Sequence, residues 1–287
     1  MTAKNPNLEM PKARAFGWAL RPASASHFAI HQRSNGQFCV VLNHALLRGV
    51  TAEMLHWWFL HFPSLKVRLR NVPGYDGTVV PAYALWHPSD HHSAQLRGTL
   101  GPGGTSKVGA KIHICEAMQY ERYGWKYPVD TELGIFYVDG DGWAMGRKVP
   151  LLGPAMVLRI HFRDIYDGAQ HVGVHYHYEV VIGLSGEHFF ARWINAKLSA
   201  KFGPEFFSAW HQHNVIEVGT FENFLAPLYA QRDRGEELTY SPSMDPVAGS
   251  ESASEGFDEA CFDARVAAVK ATSDPYAWQA HAQPSML

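Results

Sequence analysis

The segment PEFFSAWHQHNVIEVGTFENFLAPLYA (residues 204–230) decides which fold this sequence can adopt. It opens with Pro204, which is tolerated in the first turn of a helix because its missing N–H would have no partner there. The residues after it predict a long helix with one mainly apolar face. A shorter helical pattern, residues 186–202, comes directly before it. The sequence therefore predicts two consecutive helices after the upstream region.

Upstream of these helices, from about residue 78 to residue 185, the apolar pattern changes to period two, which predicts β-strands. The turn sequence DGDG (139–142) predicts a tight hairpin within this region. Consecutive strands followed by a long helix imply an α+β domain in which the helix packs across a curved antiparallel sheet. The five predicted strands are residues 78–86, 108–116, 133–146, 155–165 and 170–183.

The sequence divides into three regions. Residues 1–75 are expected to form a small N-terminal domain, with a strand at 37–44 and a helix between the N-cap Thr51 and the stop signal Pro63. The main domain is predicted over residues 76–235. Beyond it, residues 236–287 are rich in Ser, Asp, Glu and Gly and are expected to be a polar tail with one short helix near 258–271.

Composition narrows the class of partner. The chain has 287 residues, a formal net charge of −2 and no dense Lys/Arg run, which makes nucleic acid and anionic membranes poor candidates. Three widely spaced cysteines support neither a disulfide framework nor a cysteine-based zinc site. The N-terminal residues lack the apolar core of a signal peptide, and no apolar run approaches the roughly 18 residues of a membrane helix. We expect a soluble cytoplasmic protein.

Two of the predicted elements carry acidic residues in register with apolar ones. HNVIE (213–217) places His213 and Glu217 one helical turn apart on the same face, where both could bind one cation. The alternative is a solvent-exposed His–Glu pair. In KIHICE (111–116), alternation puts Glu116 on the face of two isoleucines, where a carboxylate needs a partner, a proton or a metal. Glu121 is the competing carboxylate, but it lies in a polar stretch.

WHPSDHHSAQL (86–96) contains His87, His91 and His92 after a predicted strand. One interpretation is a histidine-rich surface turn. The other is that this stretch joins the helical pair and the strand carboxylate in a mixed His/carboxylate site, which suits Zn²⁺ better than Fe²⁺ or Mn²⁺. In HVGVHYHYE, alternation places His171, His175, His177 and Glu179 on one face of a predicted strand. We expect this face to be solvated, and a second metal site on it is the alternative interpretation.

Taken in order, YALWHPSDH (83–91), a strand ending in Glu116, and HNVIE followed by ENFLAPLY (222–229) resemble the 2,4-diacetylphloroglucinol hydrolase and phloretin hydrolase family. The resemblance covers roughly residues 45–232. It implies a Bet v1-like helix-grip domain and an N-terminal segment used in homodimerisation. It also implies one zinc ion, and the ligands that it places here are His91, Glu116, His213 and Glu217.

The resemblance further implies substrate binding by Tyr83 and Tyr176 and a catalytic, non-ligand role for His161. Where the family carries an amide residue three positions after the first zinc histidine, this chain has Ala94, which leaves the acyl group open. The implied reaction is hydrolysis of the aryl ketone C–C bond of an acylphloroglucinol, because zinc lowers the pKa of bound water to about 7. A phloretin-type substrate, an ester or lactone hydrolase, and a non-catalytic carrier are the alternatives.

Overall fold

The computed structural model describes residues 9–200, 202–235 and 237–242. Its main feature is an antiparallel sheet of eight strands in the order β1-β2-β10-β9-β8-β7-β6-β5. The prediction of an α+β fold built on an antiparallel sheet is confirmed. These strands are β1 Ser26–Gln32, β2 Phe38–His44, β5 His91–Arg97, β6 Lys111–Ala117, β7 Pro128–Asp139, β8 Gly142–Val149, β9 Gly153–Asp167 and β10 Gln170–Ile182.

The long helix α5 (Pro204–Tyr229) packs on the apolar face of this sheet, with Pro204 in its first turn as predicted. Helix α1 (Ala52–His61) begins after Thr51, whose hydroxyl accepts the N–H of Met54 at 3.2 Å, which confirms the predicted cap. The predicted helix 186–202 is α4 (Phe189–Ser199). Within the described residues, none of the helices is both long and apolar enough to cross a membrane.

One predicted strand, residues 78–86, is largely wrong. Only Val79–Pro81 (β4) is extended, and Tyr83–Trp86 forms a short helix, α2. All four residues of α2 are buried, so their apolar run has no alternation that could separate strand from helix. Strand β5 was not predicted, because its polar sequence HHSAQLR lies at the edge of the sheet, where it has only one neighbouring strand.

The N-terminal region does not stand apart from the sheet. Strand β2 pairs with β10, with Leu42 opposite Tyr178, so residues 26–44 belong to the same sheet as the main domain. A second sheet has the order β11-β3-β4 and joins β3 (Lys66–Leu69) in parallel to β11 (Glu237–Tyr240), which opens the region expected to be a tail. The helix expected near 258–271 lies outside the described residues, and dimerisation stays a prediction.

The face of β10 that was expected to be solvated is buried. His175, His177 and Glu179 are 4%, 3% and 3% exposed, and Glu179 lies 3.4 Å from Arg159 of β9. Alternation identifies which residues share one face of a strand, but it does not show whether other parts of the protein cover that face. His171 stays half-buried beside Asp164, at 2.9 Å.

Candidate metal centre

Strand pairing brings the first two candidate ligands together. In the β5–β6 ladder His91 lies directly opposite Glu116, and a bulge follows between His91 and Ser93. Directly opposed side chains approach each other on the same face of an antiparallel pair. The Nε2 atom of His91 lies 3.4 Å from Oε2 of Glu116.

Helix α5 supplies the other two. His213 and Glu217 lie one turn apart, with 3.7 Å between Nε2 and Oε2. The same Glu217 oxygen is 3.4 Å from Nε2 of His91, and Oε1 of Glu116 is 4.0 Å from Nε2 of His213. His91, His213 and Glu217 are 0%, 2% and 8% exposed, so the alternative of a solvent-exposed helical pair is wrong. Ligand atoms of His91, His213 and Glu217 surround one point at which a metal ion could bind, and Glu116 lies beside it.

Both histidines are held so that Nε2 faces this point. Nδ1 of His91 donates to the carbonyl oxygen of Tyr83 at 3.0 Å, and Nδ1 of His213 donates to Oδ2 of Asp90 at 2.8 Å. With the proton on Nδ1, the lone pair is on Nε2. Nε2 of His91 is buried and has no hydrogen-bond partner among the described residues. Two imidazole nitrogens oriented by bonds at their other ring nitrogen, together with two carboxylates, fit a metal ion.

Asp90 supports the cluster from behind. Its carboxylate also accepts the backbone N–H groups of Gln119 at 2.6 Å and Tyr120 at 2.9 Å. Burial opposes its ionisation, but the nearby His87 and the bond from His213 hold the pKa of Asp90 below its usual range. His87, Asp90 and His213 are themselves close enough to hold a cation. We interpret them as hydrogen-bonding support, because Asp90 and His213 already bond to each other.

His87 is not placed as a ligand of the four-residue cluster. Its Nδ1 accepts the backbone N–H groups of Ser89 and Asp90 at 3.3 and 3.1 Å. Burial is the main cause that lowers the pKa of His87 to about 3. His92 is half-buried at the β5 bulge, and Glu121 is exposed on α3 (Tyr120–Tyr123). Of the candidates in these two segments, the structure therefore brings His91 and Glu116 to the cluster.

The cluster concentrates negative charge in a buried space. Burial raises the pKa of Glu217 to about 8, and the neighbouring Glu116 adds to this while His213 opposes it. Burial also raises the pKa of Glu116. For His213, burial works against the charged form, yet the bond to Asp90 and the two glutamates raise its pKa to about 9. Without a metal, Glu217 and His213 therefore hold protons at neutral pH, and a divalent cation would displace them.

Tyrosines surround the cluster. The ring of Tyr83 stacks on His91 with 3.9 Å between centroids, and its hydroxyl donates to Glu116. Tyr176, expected as the second substrate residue, is fully buried, packs against His44 and Phe221, and its hydroxyl has no hydrogen-bond partner within the described part of the chain. Tyr178 lines the cavity in place of Tyr176, and its hydroxyl accepts a hydrogen bond from Nε1 of Trp210 at 3.3 Å.

The expectation for His161 is wrong. In β9 its neighbours Ile160 and Phe162 point into the core beneath α5, so His161 lies on the opposite face, across from His177. Its Nε2 is 3.6 Å from Asp141, away from the cluster. A placement that is wrong by one residue reverses the face of a strand residue, because side chains alternate.

A cavity of about 1230 Å³ opens beside the cluster, between α5 and the sheet. Glu116, His213 and Glu217 line one part of it together with Tyr83 and Tyr178. Aromatic and aliphatic side chains form most of the remaining wall. These include Phe62, Trp86, Ile114, Leu133, Ile135, Trp143, Met145, Met156, Leu158, Ile160, Ile182, Phe202, Phe206 and Trp210.

No family model and no curated protein matches this sequence. Among solved structures, a protein of unknown function from Staphylococcus aureus is similar over 64% of this chain and 97% of its own, with 10% sequence identity and a TM-score of 0.30. A likeness at this level carries no argument about function.

Proposed function

We propose that this protein is a zinc-dependent hydrolase that cleaves the C–C bond between the ring and the carbonyl carbon of an acylphloroglucinol-type phenolic ketone. The observation that carries the proposal is the convergence of His91, Glu116, His213 and Glu217. The family resemblance implies this ligand set, and the four side chains come from three separate elements, β5, β6 and α5.

The donor set supports zinc as the metal. Two imidazole nitrogens and two carboxylate oxygens suit Zn²⁺, and the outer bonds to Asp90 and to the Tyr83 carbonyl would keep both rings in the ligating tautomer. Two carboxylates balance a divalent charge, which removes the penalty of burying them alone. A Bet v1-like helix-grip fold belongs to the same proposal, supported by α5 packing on the antiparallel sheet.

When bound, zinc supplies a Lewis acid that polarises a carbonyl and lowers the pKa of coordinated water to about 7. The protein's own groups bind and orient the substrate. Tyr83 and Tyr178 present phenolic hydroxyls to the cavity, where ring hydroxyls of the substrate can bond to them. Trp86, Trp143 and Trp210 supply apolar walls that exclude water and pack on an aromatic ring.

The overall reaction adds the hydroxyl of water to the carbonyl carbon and a proton to the ring carbon that departs. An electron-rich phenol accepts this proton and then returns to the aromatic form. Because His161 lies on the far face of the sheet, Tyr83 is the group we assign to proton transfer. Its hydroxyl donates to Glu116 and can pass a proton between that carboxylate and the substrate.

The proposal is tested by the metal content and activity of His213→Ala on a panel of acylphloroglucinols. We expect about one zinc per chain in the wild type, and loss of both zinc and acid release in the variant. His211→Ala is the matched control on the same helix, because His211 contacts Ser26 at 2.8 Å and not the cluster. Zinc and activity retained by His213→Ala would refute the site, and faster turnover of the matching phenyl ester would refute the C–C specificity.

A further inference from the structure

The cavity has a long axis that runs away from the metal cluster. Along β10 the wall extends from Tyr178 to Ile182, about 13 Å at roughly 3.3 Å per strand residue. Along α5 it extends from His213 back to Phe206, about 10 Å at 1.5 Å per helical residue. The N-terminal end of α5 lies at the Ile182 end of β10, since the rings of Phe207 and Phe38 are 5.8 Å apart and Phe38 pairs with Ile182.

We call this part of the cavity the distal arm, and define it by Met156, Leu158, Ile182, Phe202, Phe206 and Trp210. Met156 lies directly opposite Ile182 in the β9–β10 ladder, so the two face the arm together. Arg147 of β8 lies directly opposite Met156 in the β8–β9 ladder, and the exposed Arg147 and Lys148 mark the place where the arm reaches solvent. The arm therefore has an apolar lining between a polar reaction centre and a charged rim.

The two ends of the cavity differ in the groups that they can bind. Polar phenol hydroxyls have partners near the cluster, at Tyr83 and Tyr178. The six side chains that define the distal arm offer one N–H or O–H group, the indole N–H of Trp210, and this group already bonds to Tyr178. A hydroxylated ring placed there would leave its hydroxyls unpaired, which is unfavourable. The portion of the substrate that occupies the arm is therefore apolar.

The whole cavity, whose lining also includes polar residues such as Lys111, Asp130 and Glu132, is larger than one small ring requires. Small-molecule pockets commonly measure about 300–1,000 Å³, and this cavity measures about 1230 Å³. A single phenol ring with an acetyl group would leave the apolar arm in contact with water. An alkyl chain that extends from the carbonyl would bury that surface instead, with a gain proportional to the apolar area removed from water.

We propose, on the basis of the proposed function, that the substrate is an acylphloroglucinol with a medium or long alkyl acyl chain, which lies in the distal arm. The carbonyl is held at the metal cluster and the ring at the tyrosines. Met156 and Ile182, facing each other across β9 and β10, set the length of chain that the arm accepts.

The experiment compares acetylphloroglucinol with octanoylphloroglucinol. We expect the wild-type kcat/KM for the octanoyl compound to be at least about tenfold higher, since a single methylene in an apolar pocket can change specificity by that factor. Met156→Trp should remove most of this preference, measured as the ratio of the two kcat/KM values, and should keep the zinc content within twofold of the wild type. Tyr166→Trp is the control, since Tyr166 lies on the same strand and is 59% exposed.

Binding separates this inference from the proposed function. The dissociation constants of both compounds are measured by calorimetry on the zinc-loaded protein. If neither compound is hydrolysed but the octanoyl compound binds at least tenfold more tightly, the proposed reaction fails and the distal arm stands. Equal wild-type values in both turnover and binding would overturn the arm assignment, as would an equal loss for both compounds in Met156→Trp. If that variant does not fold, the wild-type comparison alone decides.

Discussion

Asp90→Asn replaces the buried carboxylate behind His213 by an amide of nearly the same shape. In the wild type, Oδ2 accepts from Nδ1 of His213 at 2.8 Å and from the N–H of Gln119 at 2.6 Å, while Oδ1 accepts from the N–H of Tyr120 at 2.9 Å. All of these partners are donors. An amide has one oxygen and one NH₂ group, so at least one donor loses its acceptor.

Two magnitudes follow. Loss of the group that accepts a hydrogen bond from a metal-bound histidine typically lowers metal affinity 10- to 100-fold, about 1.4–2.8 kcal/mol. The donor left without an acceptor lowers the free energy of unfolding of the metal-free protein by a further ~1–3 kcal/mol. We therefore expect the zinc dissociation constant of Asp90→Asn to rise by one to two orders of magnitude, alongside a separate loss of stability.

Competition with a chromogenic chelator at pH 7.5 measures the zinc dissociation constant, and urea unfolding of the metal-free protein measures stability. Ser89→Ala is the matched control, because Ser89 donates to the same carboxylate at 3.1 Å but does not contact His213. We expect its zinc affinity to stay within threefold of the wild type. An Asp90→Asn protein that binds zinc as tightly as the wild type would refute the reasoning that this carboxylate orients the ligand.

Three further predictions concern pH, the acidic ligand and the core. In the metal-free fold the pKa of Glu217 is raised from 4.5 to about 8 and that of His213 from 6.5 to about 9. The folded state then binds more protons than the unfolded state, so the thermal stability of the metal-free protein should fall from pH 7 to pH 9. Bound zinc should make this decrease smaller. A metal-free protein that gains stability over this range would contradict the raised pKa values of Glu217 and His213. Glu116→Gln should lower zinc stoichiometry in metal analysis, whereas the exposed Glu121→Gln should not, and the reverse result would exchange their roles. The ring of Phe59 is fully buried and stacks on Trp143 with 5.0 Å between centroids. Phe59→Ala should lower the free energy of unfolding by about 3–5 kcal/mol in urea titrations. A loss under about 1 kcal/mol would contradict this packing.

Several parts of the site could be predicted from local spacing. One turn of helix separates His213 from Glu217, so any helix over this segment places them on one face. Alternation likewise put Glu116 in register with Ile112 and Ile114, and the structure places its carboxylate at the cluster. These inferences succeed because the geometry within one element repeats every 3.6 or 2 residues, whatever surrounds it.

Other parts depended on the packing of distant elements. The opposition of His91 and Glu116 comes from the β5–β6 register, which no spacing within either strand specifies. Tyr176 and Tyr178 share one face of β10, and only the position of α5 decides that Tyr178 lines the cavity. For His161, the assignment depended on loop lengths, and an error of one residue reverses the face.

The α+β class, the long helix and the His and carboxylate residue types of the site could be predicted from local periodicity and spacing. Which histidine, which tyrosine and which strand face lie at the cluster depends on how the elements pack against each other. Hydrophobic periodicity is a local property of the chain, whereas the candidate metal centre and its cavity are formed by contacts between residues far apart in sequence, here on β5, β6, β10 and α5.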